Sequence, residues 1–124
     1  MIKRIHSGGP FEEKVGYCRA VVAGGFVHVA GCCAHADDMP CDTVGQCVSA
    51  LGVIKRALAE AGTDMAHVVR VVYYMADIRE FEACWPNLRE TFGENPPAAT
   101  VIEAKLIHPA DRIEIEVTAV LPVG

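Results

Sequence analysis

The chain has 124 residues, of which 52% are hydrophobic and 22% are charged, and these proportions bound its class. This length and apolar content predict one domain over residues 1–124 with a sizeable core. The net charge of −5 and the scattered basic residues argue against an extended electrostatic surface for nucleic acid and leave only a local basic pocket as the alternative. No apolar run reaches membrane-spanning length and no signal peptide is evident, so we expect a cytoplasmic protein without a membrane partner.

Six cysteines are spread along the chain, at Cys18, Cys32, Cys33, Cys41, Cys47 and Cys84. Without a sign of secretion, we expect small buried thiols in a reducing compartment rather than disulfides. A zinc site built from Cys33, His35 and Cys41 is the weaker alternative, because that spacing matches no usual ligand pattern. We therefore predict no metal site.

The first quarter of the chain predicts a hairpin. Residues 1–12 are polar and rich in glycine and proline, which is typical of an ordered loop or a short edge segment. Strands are predicted at residues 15–22 and 26–33, because both runs are rich in apolar and β-branched side chains. The Ala-Gly-Gly sequence at residues 23–25 has the composition of a turn between them. A polar loop over residues 34–40 follows.

The next segment predicts a helix and then a strand. Asp42 or Thr43 caps a helix whose apolar residues recur at three- and four-residue spacing. The helix is expected to end near Gly62, because glycine is the usual residue at a helix C-terminus. A β-branched and aromatic run over residues 67–75 predicts the third strand.

A second helix is predicted over residues 78–92, with Asp77 as its cap. Pro86 lies inside that window, where it either kinks the helix or marks a restart. Phe81 and Trp85 fit the apolar stripe of this helix. Both are expected to belong to the core, with Trp85 at the rim of a cleft as the alternative.

Two strands are predicted to close the chain, at residues 97–104 and 113–120. The last one alternates, with Ile113, Ile115 and Val117 on one face and Glu114, Glu116 and Thr118 on the other. The resulting order β-β-α-β-α-β-β predicts an α+β two-layer domain with both helices on one face of the sheet. The other face would be left bare, so we expect an oligomer to cover it.

Five segments in chain order resemble the RidA/YjgF family of reactive-intermediate deaminases. They are residues 16–20, 27–31, 59–62, 69–77 and 97–120. The closing pair, Pro-Ala followed at the right interval by Glu-Ile-Glu, is the most specific of them. The resemblance implies a chorismate-mutase-like fold and a homotrimer with three clefts, each between neighbouring subunits.

The resemblance also implies a chemistry. The best-known members of the family hydrolyse reactive enamines or imines to ketones and ammonia, and they need no cofactor. An arginine after Pro-Ala holds the substrate carboxylate, a task that suits a planar guanidinium. A glutamate on the last strand orients the water. By the same resemblance, Glu116 matches that glutamate and Tyr17 matches a pocket tyrosine.

This chain departs from the family pattern at the arginine position, which is Ala99. A methyl group cannot bind a carboxylate, so we expect the standard 2-imino acid deaminase activity to be weak or absent. Trp85 stands where many members carry asparagine, and Val101 where some carry cysteine. The pocket is therefore rebuilt at several positions.

Arg19 is a candidate replacement for the missing arginine. On a strand, positions 17 and 19 share a face, so Arg19 would point into the cleft if Tyr17 lines it. The alternative is a surface arginine paired with Glu114 or with Glu12 or Glu13. Cys32 and Cys33 follow the segment that the family places near the cleft, so one of them is a further candidate for the pocket, and we take Cys32 as that residue. A buried structural cysteine is the alternative.

These observations lead to two functional hypotheses. The first is a hydrolase or deaminase that adds water to a small enamine, imine or amino-muconate-like acid. In it, Glu116 positions the water, Tyr17 assists, and Arg19, Cys32, Ala99 and Trp85 line the substrate site. The second is a non-catalytic trimer that binds or senses a small molecule. A ribonuclease role is disfavoured by the acidic charge.

Overall fold

The computed structural model describes residues 1–39 and 41–122. Its strands are β1 (Lys3–Ile5), β2 (Ala20–Ala23), β3 (Phe26–Cys32), β4 (Val68–Met75), β5 (Ala98–Glu103) and β6 (Ile113–Val120). Its α-helices are α1 (Pro10–Val15), α2 (Thr43–Ala61) and α3 (Phe81–Phe92). The strands form one mixed sheet in the order β1-β2-β3-β6-β4-β5, in which only β4 and β5 are parallel. The predicted α+β architecture is confirmed.

Helix α2 forms the centre of the helical layer. Its N-terminus is capped by Asp42, whose carboxylate accepts a hydrogen bond from the Gly45 N–H at 2.8 Å. It ends at Gly62, where φ is 95°, a value that glycine adopts without strain. The helix packs across β3 and β6 and contacts α3. Its buried residues include Cys47, Ala50, Leu51, Ile54 and Leu58.

Strand β6 lies in the middle of the sheet and alternates as predicted. Its odd-numbered residues, Ile113, Ile115, Val117 and Ala119, are buried under the helices. Its even-numbered residues are half-buried on the open face. In register, Glu116 lies opposite Val72 and Glu114 opposite Tyr74 on β4. Both glutamates therefore face away from the helices.

The N-terminal strand prediction is wrong in its first half, because Val15 ends helix α1 and β2 begins only at Ala20. Pro10 occupies the first turn of α1, where its fixed φ suits a helix start. The helix stops at Gly16, whose φ is 92°. The expected edge segment is present as β1, which pairs with β2. Of the predicted loop at residues 34–40, Pro40 lies outside the described residues.

The second predicted helix begins differently from the expectation. Asp77 caps a short 3₁₀ turn, Ile78–Glu80, by accepting from the Arg79 N–H, and α3 starts at Phe81. The α-helix continues through Pro86 to Phe92. Within the described part of the chain, no helix is long and apolar enough to cross a bilayer.

Candidate functional site

The predicted site residues do not lie together. Glu116 lies on the central strand β6, and the others lie in two groups near opposite edges of the sheet. Tyr17 and Arg19 lie just before β2, whereas Ala99 lies on β5, the edge strand at the other side. Four strand spacings separate β2 from β5, a distance of roughly 19 Å. One chain therefore does not bring all the predicted residues into one site.

Arg19 is held at the end of β3. Its Nη1 donates to the Gly31 carbonyl oxygen at 2.9 Å and lies 3.3 Å from Cys32 Sγ. Its Nη2 lies 3.5 Å from the Tyr17 hydroxyl, and the guanidinium carbon lies 5.6 Å from the centroid of that ring. Within residues 1–39 and 41–122, Arg19 forms no ion pair, and its buried Nε has no hydrogen-bond partner.

A bulge in β3 lies just before the two neighbouring cysteines. The register between β3 and β6 shifts between Val29 and Cys32, so Cys32 again lies opposite the core residue Ile115. Cys32 is 1% exposed, and its thiol lies 3.2 Å from the Ala30 carbonyl oxygen. Burial raises the pKa of this thiol, although Arg19 opposes the shift. Cys32 thus belongs to the core, and its sulfur contacts the Arg19 guanidinium.

Glu114 lies beside this cluster. The Cys33 thiol donates to Glu114 Oε1 at 3.5 Å, and the carboxyl group lies against Gly31. Burial, together with the carboxylates of Glu114 and Asp111, strongly raises the pKa of Cys33. Cys33 is therefore a neutral hydrogen-bond donor rather than a nucleophile. The sequence indicates Glu114 only as an alternative partner for Arg19, and the glycine at position 31 is the signal that identifies it.

Glu116 has a different partner. It accepts a hydrogen bond from the Tyr74 hydroxyl on β4. That hydrogen bond raises the pKa of Tyr74, because it stabilises the protonated phenol. Among the described residues, Glu116 forms no hydrogen bond to Tyr17 or Arg19. Glu114, rather than Glu116, therefore shares Gly31 as a neighbour with Arg19.

Ala99 and Trp85 lie together in an apolar groove of about 330 Å³ between α3 and β5, here called the α3–β5 groove. The groove is lined by Tyr73, Phe81, Trp85, Leu88, Arg89, Phe92, Gly93, Pro96, Pro97 and Ala99. Trp85 is 54% exposed, so its assignment to the core is wrong and the alternative, a position at the rim, describes it. Phe81 is half-buried and packs on Tyr73, with 5.1 Å between the ring centroids.

The zinc alternative has no support in the described ranges. No group of three or more histidine, cysteine, aspartate or glutamate side chains in residues 1–39 and 41–122 is arranged to hold a metal ion. The His35 ring instead accepts a hydrogen bond from the Asp37 N–H at 3.2 Å. The six thiols are free.

Comparison with known proteins agrees with this architecture. A member of the YjgF/YER057c/UK114 family from Mycobacterium tuberculosis superposes with a TM-score of 0.90 at 35% identity, covering 98% of this chain and 100% of that one. A YjgF-family protein from Neisseria meningitidis gives a TM-score of 0.83 at 28% identity, covering 100% of this chain and 98% of that one. The chain thus has the chorismate-mutase-like fold of these proteins, as predicted.

Sequence relatives agree with the structural ones. An uncharacterised protein from Streptomyces coelicolor is 35% identical over 104 residues, which is 82% of this chain and 78% of that protein. A RutC family protein from Pyrococcus abyssi is 30% identical over 113 residues, or 83% of this chain and 84% of that protein. The family model described as endoribonuclease L-PSP matches residues 10–121. Because this match spans most of the sequence, the chain belongs to the YjgF/RidA family.

Proposed function

We propose that this protein is a hydrolase or deaminase that adds water to a small enamine, imine or amino-muconate-like acid. The observation that carries the proposal is that Arg19 and Glu114 are both neighbours of Gly31, since Arg19 donates to the Gly31 carbonyl oxygen and the Glu114 carboxyl group lies against Gly31, while Tyr17 lies beside Arg19. The three side chains supply a carboxylate, a fixed guanidinium and a phenol at one end of the sheet. These are the groups that activation of water and orientation of a small polar substrate require.

The reaction proceeds in two steps. Glu114 takes a proton from water while the water oxygen bonds to the imine carbon, and the C=N electron pair moves to nitrogen, which takes that proton from Glu114 and becomes an amine. Glu114 then moves the hydroxyl proton of this carbinolamine to the nitrogen as the C–N bond breaks, which forms the ketone, releases ammonia and leaves Glu114 ionised again. The Cys33 thiol, which donates to Glu114 Oε1, fixes the carboxylate during both steps. Arg19 and Tyr17 orient the polar end of the substrate.

The site is completed by a second subunit. Two observations support a homotrimer with clefts between its subunits. The α3–β5 groove and the group formed by Tyr17, Arg19 and Cys32 lie near opposite edges of one sheet. Subunits placed side by side would therefore bring the groove of one subunit next to the Arg19 group of its neighbour. The open face also carries apolar surface, with Phe26 43% and Ile102 43% exposed. Ala99 leaves the groove without the family's arginine, so we expect the standard 2-imino acid activity to be weak or absent.

Paired glutamine variants test the proposal. Ammonia release is measured from 2-aminoacrylate, 2-iminobutyrate and 2-aminomuconate. Glu114→Gln should lower turnover by about 100-fold or more, since it removes the base that activates water. Glu116→Gln, which changes the neighbouring carboxylate on the same face, should retain most of the activity. A larger loss in Glu116→Gln than in Glu114→Gln would transfer the role to Glu116. Full activity of both variants, compared with the unchanged protein, would refute a carboxylate mechanism.

One observation favours the second hypothesis, a trimer that binds or senses a small molecule without turning it over. Arg19 uses its Nη1 on Gly31 and Cys32, which leaves fewer donors for a substrate than a free arginine has. Thermal stabilisation by an added acid without ammonia release would support this function. The free thiols fit a cytoplasmic location under either hypothesis.

A further inference from the structure

Two buried cysteines from different helices lie together in the helical layer, and we infer that they form a redox pair that responds to peroxide. Cys47 on α2 and Cys84 on α3 close a disulfide when a small peroxide enters the core, and a dithiol opens it again. Both thiols are free in this structure, so it describes the reduced state. The pair is independent of the proposed hydrolysis, because neither cysteine belongs to that site.

The two thiols lie side by side where α2 packs against α3. Cys47 and Cys84 are both 0% exposed and belong to the same hydrophobic core. A hydrogen bond between the two side chains places the sulfur atoms next to each other. A disulfide forms only between cysteines that the backbone already holds close together. The packing of the two helices supplies this proximity, although the sequence has no Cys-x-x-Cys motif.

The hydrogen bond makes the two thiols unequal. It favours the thiolate of Cys84 and lowers the pKa of that residue. Burial and the carboxylates of Glu80 and Asp42 oppose this shift without reversing it. The same hydrogen bond, together with burial, raises the pKa of Cys47, which therefore keeps its proton. Because the thiolate is the nucleophile in thiol chemistry, Cys84 is the attacking sulfur of the pair.

The reaction with hydrogen peroxide has two balanced steps. The Cys84 thiolate attacks one peroxide oxygen, the O–O bond breaks, and the Cys84 sulfenic acid and hydroxide form. The Cys47 sulfur then attacks the Cys84 sulfur, and its S–H proton joins the departing hydroxyl group, which gives the disulfide and water. The two cysteines lose two electrons in total, and the peroxide gains them. A dithiol restores both thiols by thiol–disulfide exchange.

Burial restricts the oxidant to a small, uncharged molecule. Both thiols of the pair are fully covered, so a peptide-sized disulfide does not reach them in the folded chain. Tyr73 lies close to both thiols and also lines the α3–β5 groove, so the groove leads towards the pair. Hydrogen peroxide is small and neutral enough to enter along this apolar route. Cys18 and Cys41, by contrast, are half-buried and open to larger reagents.

The disulfide would fix α3 against α2. Helix α3 carries Phe81, Trp85 and Leu88, which line the groove, so oxidation would act on the shape of that groove. A covalent link between the helices also restricts the unfolded chain and therefore stabilises the fold. Trp85 follows Cys84 directly and is the one tryptophan of the chain, so its fluorescence reports the change.

Peptide mapping after peroxide treatment tests the pair directly. The reduced protein is treated with hydrogen peroxide, alkylated with iodoacetamide in urea, and digested. A peptide that links Cys47 to Cys84 should form, and dithiothreitol should convert it back into two separate peptides. The Tm should rise by about 5 °C or more on oxidation and return on reduction, and Trp85 fluorescence should follow it. If the half-buried thiols are oxidised and no linked peptide forms, the inference is wrong.

Alanine variants assign the two roles. Cys47→Ala and Cys84→Ala should each abolish the linked peptide and the rise in Tm, whereas Cys18→Ala, the matched control, should keep both. In Cys47→Ala protein the sulfenic acid should accumulate on Cys84, where dimedone added with urea traps it. Cys84→Ala protein should give about tenfold less trapped product on Cys47, and the opposite pattern would overturn the assignment of the attacking sulfur. If a variant fails to fold, the mapping of the unchanged protein still decides whether the pair forms.

A comparison of oxidants tests the role of burial. Hydrogen peroxide should close the disulfide about tenfold or more faster than oxidised glutathione does at the same concentration, because only the peroxide reaches the covered thiols. Oxidised glutathione should instead form mixed disulfides with Cys18 or Cys41. Equal rates of disulfide closure with the two oxidants would show that unfolding admits them, and would overturn the selection of a small peroxide.

Discussion

The Glu114 carboxyl group lies directly against Gly31, in space that a side chain at position 31 would occupy. A Cβ at that position would lie 2.9 Å from Glu114 Cδ, which is closer than such atoms approach in proteins. Gly31 does not have a positive φ, so its backbone alone would accept other residues. Glycine is therefore required here for clearance, and it lets the carboxylate reach the Cys33 thiol and the end of β3.

Gly31→Ala should displace the Glu114 carboxylate and lower ammonia release about tenfold or more, because the Cβ occupies its place. Gly52→Ala is the matched control: Gly52 lies within α2, and its nearest neighbour would be Arg56 Nη1 at 3.8 Å. There the substitution should stabilise the helix by about 0.5–1 kcal/mol without affecting turnover. Turnover and unfolding in urea are measured for both. Full activity of Gly31→Ala would show that the observed position of Glu114 is not the active one.

The sequence predicted the sheet and helices well where local patterns decide them. The alternation of β6 placed Glu114 and Glu116 on one face, and Gly62 ended α2 as expected. It could not separate the two glutamates, because their difference depends on Gly31 and Tyr74, which are distant in the chain. These contacts follow from strand pairing, which periodicity does not specify.

Two errors have local physical causes. The composition of residues 15–22 predicts a strand that includes Val15, but the Glu12 carboxylate accepts from the Gly9 N–H at 3.0 Å and secures the start of a helix that ends at Val15. Trp85 fits the apolar stripe of α3, but it lies beside β5, the edge strand of the sheet, where no further strand follows to cover it. The outermost residue of such a stripe then lines a groove.

Glu12 should support the fold at neutral pH and lose this effect in acid. Burial alone would raise its pKa, but hydrogen bonds from the Ser7 hydroxyl and from the Gly9 and Ser7 N–H groups outweigh burial and lower it. A lowered pKa stabilises the fold above the unfolded value of about 4.5, and the contribution is lost as pH falls through the folded value. Glu12→Gln should therefore cost about 2 kcal/mol at pH 7 and much less near pH 3.

Glu13→Gln is the control for this variant, since Glu13 is the exposed neighbour in the same helix turn. It should change the free energy of unfolding by less than about 0.5 kcal/mol at either pH. Urea titrations of both proteins at pH 7 and pH 3 make the comparison. If Glu12→Gln lowers the free energy of unfolding as much at pH 3 as at pH 7, the stabilising role assigned to the Glu12 charge is wrong.

The free energy of unfolding should fall as pH rises above about 9. Burial raises the pKa of Cys33 far above the ordinary value of 9.0, so the folded protein keeps a proton that the unfolded chain releases. Because the unfolded chain then binds fewer protons than the folded protein, the free energy of unfolding falls by up to about 1.4 kcal/mol per pH unit for each such thiol. Cys33→Ser should make this slope shallower between pH 8 and pH 10. Cys18→Ser controls for the loss of a thiol, and equal slopes in the two variants would contradict the prediction.

Gln46 should be the polar residue whose loss costs the fold most. Its side chain is 1% exposed, and its Nε2 donates to the carbonyl oxygens of Cys41 at 3.1 Å and Ala110 at 3.0 Å. Its Oε1 accepts from the Arg112 N–H at 2.7 Å, one residue before β6 begins. Gln46→Leu leaves three backbone groups without these partners and should lower the free energy of unfolding by about 3 kcal/mol.

The same change should also lower turnover, because the segment that Gln46 holds leads directly into the strand that carries Glu114. Val48→Ala, at a position 49% exposed on the same helix, should cost less than about 1 kcal/mol and leave ammonia release unchanged. Urea unfolding and ammonia release are measured in parallel for both proteins. A Gln46→Leu protein that is destabilised but fully active at low temperature would show that Glu114 is positioned by Gly31 and Cys33 alone.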